Sequence, residues 1–221
     1  MVDIAPGASQ PLASQTFTIA GPSGELEALL DMPERPAESR VAVICHPHPL
    51  HGGTMTNKVA HMLAKSFNAV GAPAIRFNFR GVGRSAGEYA DGLGETDDAI
   101  AVMDWAQSRW PDARLWIGGF SFGGAVAIRA ATLRQVDRLV TVAPAVDRVD
   151  VPTDQLPRCP WLVIQGDADE VVPALAVNHW LSSLPRTPDI IMLPGVGHYF
   201  HGRLNELKKE VVGWLESKVT E

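Results

Sequence analysis

A serine in this sequence lies where its hydroxyl could act as a nucleophile. Ser121 is the centre of Gly119-Phe120-Ser121-Phe122-Gly123, between an apolar run at 115–118 and a helical pattern that begins near Phe122. A serine on a sharp turn from strand to helix presents its hydroxyl above the edge of a sheet, and the flanking glycines leave space for that turn. The pattern therefore predicts that Ser121 is a nucleophile, and a serine hydroxyl then needs an adjacent base that a third group orients.

The acid that would orient the base is expected after a later strand. The apolar run 161–165 is followed by Gly166-Asp167-Ala168-Asp169-Glu170. Asp169 is the predicted acid, and Asp167 is expected to cap the turn. Asp147, after the preceding strand, is a further candidate because some hydrolases take their acid from that position.

The base is expected after the last strand, since the order serine, acid, histidine is typical of such sites. The run 190–193 is followed by Pro194-Gly195-Val196-Gly197-His198. This glycine-bracketed turn could place the imidazole of His198 over the sheet, so His198 is the predicted base. His201 is expected to begin the last helix and to face solvent.

Acyl transfer also needs N–H donors for the negative charge that develops on the carbonyl oxygen. The backbone N–H of Phe122, directly after the serine, is one predicted donor. The other is expected in the loop that follows the run 41–45. Because Pro47 and Pro49 have no N–H, His48 is the predicted second donor, with Leu50 as a weaker alternative.

The same loop permits a different chemistry. His46, His48 and His51 form the pattern H-x-H-x-x-H, a spacing that metal-dependent hydrolases also use. No aspartate falls inside the cluster, and a metal site would leave the serine, aspartate and histidine elsewhere without a role. We therefore expect no metal and no cofactor, and we expect His46 and His51 to fix the loop.

The elements that must position these residues alternate along the chain. Apolar strand-like runs occupy 41–45, 72–79, 115–118, 139–143, 161–165 and 190–193. Helical periodicity occurs at 59–70, 99–110 and 204–215. Strands that alternate with helices predict an α/β fold with a mostly parallel sheet, and an antiparallel hairpin of 15–20 with 25–32 leads into it. We predict one domain at 15–221 behind a flexible tail at 1–14.

Composition narrows the class of protein. The chain has 221 residues and a net charge of −6, which gives no electrostatic reason to expect nucleic acid as a partner. The N-terminus does not resemble a signal peptide, and no apolar run is long enough to span a membrane. Cys45 and Cys159 are expected to be small buried side chains. These features favour a cytoplasmic protein, and they leave its oligomeric state open.

Three further motifs resemble those of a family of small bacterial α/β-hydrolases. They are H-P-H-P-x-x-G-G-T-M-x-N-K-V at 46–59, R-F-N-F-R-G-V-G-x-S-x-G at 76–87 and G-x-G-E-x-x-D at 92–98. The resemblance runs from about residue 15 to the C-terminus. It implies an α/β-hydrolase fold, a serine-histidine-aspartate triad and hydrolase activity, and it says little about the substrate.

The length of one connection bears on the substrate. Only residues 146–160 separate the run that ends near Ala145 from the run that begins at Trp161, too few for a lid domain. An uncovered serine favours a carboxylesterase that cleaves small soluble esters through an acyl-enzyme intermediate. A thioesterase or a peptidase would use the same residues, and a silent binding protein would be expected to lack one of them.

Four further side chains lie near the predicted site. Phe120 and Phe122 flank the serine and could line an acyl pocket, although Phe120 suits the core equally well. Arg80 and Arg84 follow a strand near the expected mouth. We expect them to pair with Glu88, Glu95 or Asp98 rather than to bind an anionic substrate.

Overall fold

The computed structural model describes residues 15–37, 39–151 and 155–218, so the predicted tail at 1–14 lies outside the described residues. Over the described residues, the chain forms eight strands and five α-helices. The strands are β1 (Gln15–Gly21), β2 (Gly24–Asp31), β3 (Arg40–Cys45), β4 (Ala74–Phe77), β5 (Arg114–Phe120), β6 (Arg138–Val142), β7 (Trp161–Gly166) and β8 (Asp189–Leu193). The helices are α1 (Lys58–Ala69), α2 (Leu93–Arg109), α3 (Phe122–Leu133), α4 (Ala174–Ser182) and α5 (Leu204–Ser217).

All eight strands belong to one sheet with the order β1-β2-β4-β3-β5-β6-β7-β8. β1 and β2 form the predicted antiparallel hairpin, and β2 also pairs antiparallel with β4. Every pairing from β4 through β3 to β8 is parallel. The carboxyl ends of β3, β5, β6, β7 and β8 therefore meet at one edge of the sheet, where the loops that carry the predicted site residues begin.

Both faces of the sheet are covered, as the apolar strands require. On β3, Val41 and Val43 point into a core shared with α2, α3 and α4, whereas Ala42 and Ile44 point into a core shared with α1 and α5. This alternation follows from the two-residue period of a strand. Cys45 and Cys159 are buried and free, as predicted.

The predicted strands are correct in number and order along the chain, and their limits shift by at most two residues at either end. The largest difference is at β4, which is shorter than the predicted run 72–79. The N–H of Phe79 donates to a ring nitrogen of His46 rather than to a neighbouring strand, so the ladder ends before it. β5 is longer than predicted and continues through Gly119 to Phe120, because both residues pair in register with β6.

Helix α4 was not predicted, whereas the other four helices were. It is short and places only Val177 and Leu181 in the core, while Leu175 is exposed. Two buried positions do not establish a helical period in the sequence. Over the described residues, no helix combines the length and the apolar character needed to cross a lipid bilayer.

Candidate active site

Ser121 lies on a strained turn between β5 and α3. Its backbone angles are φ 56° and ψ −119°, in a region that residues other than glycine rarely adopt. The glycines on either side make the turn possible. A Cβ at Gly119 would lie 2.0 Å from the carbonyl oxygen of Gly123, and a Cβ at Gly123 would lie 2.3 Å from the carbonyl oxygen of His46. The chain therefore holds Ser121 in the conformation that the motif predicted.

Strand β6 holds this turn in place. The N–H of Ser121 donates to the carbonyl of Val142 at 2.9 Å, and its carbonyl accepts from the N–H of Ala145 at 3.0 Å. Ala143 also has a positive φ, 45°, which turns the chain so that Ala145 can reach back to the serine. Hydrogen bonds to β6 and to the residues that follow it thus offset the strain at Ser121.

The side chains of Ser121, His198 and Asp169 form one continuous chain of polar contacts. The distance from Ser121 Oγ to His198 Nε2 is 3.1 Å, and His198 Nδ1 lies 2.8 Å from Asp169 Oδ2. All three residues are buried. A carboxylate beside Nδ1 keeps the proton on that nitrogen, so Nε2 is left as the acceptor facing the serine hydroxyl. The structure brings together the three residues predicted as nucleophile, base and acid.

Asp169 is held as a carboxylate by donors around both of its oxygens. Oδ1 accepts from the N–H groups of Val171 at 2.9 Å and Val172 at 2.7 Å, and Oδ2 faces His198 and the amide of Gln165. Burial alone would raise the pKa of Asp169, but the hydrogen bonds from His198, Val172 and Val171 outweigh it and keep the pKa below its ordinary value.

Hydrogen bonds join the loops that carry Asp169 and His198. Asp167 Oδ1 accepts from the N–H of Gly195 at 2.6 Å, and the N–H of Ala168 donates to the carbonyl of Val196. The carboxylate of Glu170 accepts a long hydrogen bond, 3.4 Å, from the N–H of His198. Asp167 thus fixes the turn, as predicted, and does not contact the imidazole.

The other candidates for acid and base lie outside this chain of contacts. Asp147 is exposed, and His198 Nδ1 is already paired with Asp169. His201 is exposed, as predicted, but the expectation that it begins the last helix is wrong. It lies in a turn three residues before Leu204, the first residue of α5, because Gly202 has a positive φ, 72°, that is incompatible with a helix.

The loop that contains His48 packs against the beginning of α3. The ring of His48 lies 4.9 Å from the ring of Phe122, and its Nε2 is 3.3 Å from the hydroxyl of Tyr89. His48 Nδ1 accepts a hydrogen bond from the N–H of Leu50 at 3.2 Å. The N–H of Leu50, the weaker alternative for an oxyanion donor, is therefore used within its own loop.

His46 joins two loops below the site. Its Nε2 accepts from the N–H of Phe79 at 3.1 Å, and its Nδ1 lies 2.6 Å from the carbonyl of Pro47. Burial lowers the pKa of His46 to about 4, although the bond to Pro47 acts in the opposite direction. His46 is thus neutral, and both ring nitrogens are engaged by the protein.

The predicted histidine cluster is not arranged as a set of metal ligands. His48 and His51 stack with ring centres 4.3 Å apart, and neither ring nitrogen of His46 is available. Across the part of the chain that the structure describes, no three His, Cys, Asp or Glu side chains are grouped so that they could hold a metal ion.

The two arginines near the mouth form ion pairs, but one predicted partner is wrong. Arg80 forms a two-pronged pair with Asp98, with N–O distances of 2.8 and 3.0 Å. Arg84 pairs at 3.0 Å with Glu27 on β2 rather than with any of the three predicted acids. The local sequence could not show this, because the hairpin brings Glu27 beside the loop after β4.

The two phenylalanines beside the serine are both buried. Phe120 belongs to the core on the α1 and α5 side, and its ring lies 4.9 Å from the imidazole of His198. Phe122 packs against Phe79 and Tyr89 on the opposite face. Phe120 therefore packs against the imidazole of His198 from the core.

Three residues of the site were missed in the sequence. Gln165 contacts Asp169, Glu170 contacts the backbone of His198, and Tyr89 contacts His48. Only Gln165 had a detectable signal, since it is a polar residue at the end of an apolar strand that leads into the acid's loop. Nothing local indicated Tyr89, because 41 residues separate it from its partner.

A protein-family model and a sequence relative both match this chain. A sequence model of the family described as serine aminopeptidase, S33, matches residues 43–157. A protein of Rickettsia prowazekii, described only as uncharacterised, is 32% identical over 205 residues, covering 88% of this chain and 86% of that protein.

Two solved structures share this fold and are more similar in sequence than the Rickettsia protein is. An α/β serine hydrolase homologue from Coxiella burnetii is 40% identical with a TM-score of 0.89, over 94% of this chain and all of that one. An α/β serine hydrolase described as without a lid, from Xanthomonas campestris, is 40% identical with a TM-score of 0.86, over 93% of this chain and 94% of that one.

The eight-stranded sheet and the strained serine turn define a serine hydrolase with the α/β-hydrolase fold. Within that class, the chain belongs to the family described as serine aminopeptidase, S33.

Proposed function

We propose that this protein is a carboxylesterase in which Ser121 is the nucleophile, His198 the general base and Asp169 the orienting acid. The observation that carries the proposal is the chain of contacts Ser121 Oγ–His198 Nε2–Asp169 Oδ2, at 3.1 and 2.8 Å, on a serine held at positive φ. The three side chains already have the spacing that nucleophilic acyl transfer needs.

The reaction follows from this geometry. His198 Nε2 accepts the Ser121 proton as Oγ attacks the ester carbonyl, and the resulting imidazolium stays paired with the Asp169 carboxylate. When the tetrahedral intermediate collapses, the imidazolium gives its proton to the leaving alcohol and the acyl group remains on Ser121. Water, activated by the same imidazole, then releases the acid and restores the serine.

The negative charge on the intermediate is assigned to two backbone donors. Phe122 is the first residue of α3, and the first N–H groups of a helix have no acceptor within that helix. His48 is the second donor, since Pro47 and Pro49 lack an N–H and Leu50 uses its own. The contact between the rings of His48 and Phe122 supports this pairing, because it holds the loop against the beginning of α3.

We infer that the substrates are small soluble esters. Between β6 and β7, the described residues form no helix that could cover Ser121. The similar Xanthomonas hydrolase is described as lacking a lid, which supports the same interpretation of this chain. The partner is thus a small molecule, and no residue of the proposed site requires a cofactor.

Covalent labelling tests the nucleophile. A fluorophosphonate probe should label wild-type protein at Ser121, and Ser121→Ala should abolish both labelling and ester hydrolysis. Ser183→Ala, which changes an exposed serine at the end of α4, is the matched control and should keep both. Labelling that persists at another serine in the Ser121→Ala protein would refute the assignment.

The family description favours a second candidate, cleavage of an amide at a peptide's amino terminus. The same triad could attack an amide, so the bond that is cleaved must be measured directly. A panel of short-chain esters, acyl thioesters and aminoacyl amides should show the highest kcat/KM for the esters. Preferential hydrolysis of aminoacyl amides would replace the esterase proposal with a peptidase.

A further inference from the structure

Gln165 is a polar side chain buried completely behind the acid. It lies near the end of strand β7, four residues before Asp169, and none of it is exposed. Its Nε2 lies 3.2 Å from Asp169 Oδ2, 3.0 Å from the carbonyl of Val172 and 3.2 Å from the carbonyl of Gly166. Its Oε1 is buried with no hydrogen-bond partner among the residues that the structure describes.

An unpartnered amide oxygen in a protein interior is destabilising, because the oxygen has lost water and gained nothing. Methionine has a similar length and volume and would fill this space without an orphan oxygen. Packing alone therefore does not explain why an amide stands near the end of β7. The amide adds a donor group that reaches Asp169 as well as the carbonyls of Val172 and Gly166.

The donors around Asp169 are divided evenly between its two oxygens. Oδ1 accepts from the backbone of Val171 and Val172, and Oδ2 lies between His198 Nδ1 and Gln165 Nε2. The backbone donors alone would still allow the carboxylate to twist about its Cβ–Cγ bond. Gln165 contacts the oxygen that faces the base, so it restrains that twist.

We propose that Gln165 is a positioning residue for the acid, fixing the Asp169 carboxylate toward His198 and moderating its basicity. This inference rests on the proposed triad. Without the Gln165 donor, Oδ2 carries more negative charge toward Nδ1 and stabilises the imidazolium more strongly. The pH profile of the reaction would then change, and the imidazole would be held in a less uniform orientation.

The first test replaces the amide by methionine. Gln165→Met should lower kcat for a short-chain ester by about tenfold or more and leave KM within about twofold, because the residue does not touch substrate. The acid limb of kcat/KM reports the base of the free enzyme, and it should move to higher pH. The variant should still be labelled by fluorophosphonate, though more slowly than wild type.

A matched glutamine separates this role from a purely structural one. Gln107 Nε2 also donates to three backbone carbonyls, those of Trp110, Pro111 and Ala113, outside the site. Gln107→Met should lower the Tm and leave kcat and the pH profile unchanged. If Gln165→Met behaves in the same way as Gln107→Met, Gln165 is structural only and the proposal is wrong.

A second variant gives an independent pH signature. In Gln165→Glu, two carboxyl groups would lie about 3 Å apart and would share one proton, which raises one of their pKa values. The protonated form of the introduced carboxyl group can donate to Asp169, so activity should fall as that proton leaves, which adds a limb to the pH profile that wild type lacks. A Gln165→Glu profile with the shape of the wild-type profile would contradict the proposal.

Wild-type protein distinguishes failure of this inference from failure of the triad itself. If the wild type is not labelled at Ser121, the proposed function fails and Gln165 has no acid to position. If Ser121 is labelled and the two Gln165 variants keep the wild-type pH profile, only the role of Gln165 is overturned.

Discussion

Two aspartates in the loop after β7 show how the surroundings of a single residue decide its chemistry. Asp167 is exposed and accepts the N–H of Gly195, whereas Asp169 is buried and faces His198. Asp169→Asn should lower kcat/KM by about 10,000-fold, because an amide at that position favours the wrong imidazole tautomer. Asp167→Asn should stay within about tenfold, since an amide oxygen can still accept from Gly195. Steady-state ester hydrolysis checks both, and a larger effect at Asp167 would reverse the assignment.

The backbone and the side chain of His48 should contribute unequally to turnover. His48→Ala keeps the proposed N–H donor and removes the ring that accepts from Leu50 and packs on Phe122. We expect its kcat to stay within about tenfold of wild type, or roughly 1.4 kcal/mol of activation free energy. A loss of several thousandfold in the same assay would mean that the imidazole itself takes part in the reaction.

His46 should make stability depend on pH. Its pKa is about 4 in the folded protein and about 6.5 when unfolded, so the unfolded chain binds more protons between these values. The stabilisation is complete above about pH 6.5 and is lost as the pH falls to 4, amounting to about 3 kcal/mol.

Denaturant unfolding at a series of pH values measures this contribution of His46. Wild-type protein should lose about 3 kcal/mol more free energy of unfolding between pH 6.5 and 4 than His46→Gln. His201→Ala, which changes an exposed histidine, should lose as much as wild type. Equal losses in wild type and His46→Gln would show that His46 titrates normally in the folded state.

At the scale of elements, the turn between β5 and α3 tolerates no side chain at its glycines. A Cβ at Gly123 would lie 2.3 Å from the His46 carbonyl and 2.4 Å from the Cys45 carbonyl, both backbone atoms at the end of β3. Gly123→Ala must therefore displace the loop that carries His48, and it should lower kcat by about 100-fold or more together with the Tm.

A second helical glycine is the control for this substitution. A Cβ at Gly213 in α5 would meet nothing within 4 Å, so Gly213→Ala should stabilise the protein by about 0.5–1 kcal/mol through helix propensity alone. Thermal unfolding and ester hydrolysis of both variants check the pair. Unchanged activity in Gly123→Ala would mean that the turn can relax without moving the loop.

The elements were predictable from the sequence where the signal is local. The hairpin, the order of strands and helices and the strained serine turn all follow from short patterns of apolar residues and glycines. Three other features do not follow from local patterns, because each depends on chain segments that meet only in the folded sheet. They are the pairing of Arg84 with Glu27, the contact of Tyr89 with His48 and the early end of β4. Helix α4 was missed because it buries too few residues to show a period.

At the scale of the whole molecule, sheet topology explains why three distant residues could be placed together from sequence. Ser121 and His198 are 77 residues apart in the chain, yet β5, β6, β7 and β8 are consecutive parallel neighbours. A loop at the carboxyl end of any of these strands opens at the same edge. The motif order therefore sufficed to predict that Ser121, Asp169 and His198 meet, whereas the contacts on the β2 side of the sheet depend on the strand order itself.

The short connection between β6 and β7 governs how substrate reaches that edge. The described residues between these strands form no helix that could close over Ser121, so under the proposed function we expect the site to need no opening at a lipid surface. The rate of hydrolysis of a short-chain ester should rise hyperbolically with concentration and show no jump where the substrate passes its solubility limit. A lipase with a lid, assayed in parallel, should show that jump. A sharp increase with this protein at the same point would indicate a covering segment that moves on contact with an interface, and the proposal of small soluble esters would then be wrong.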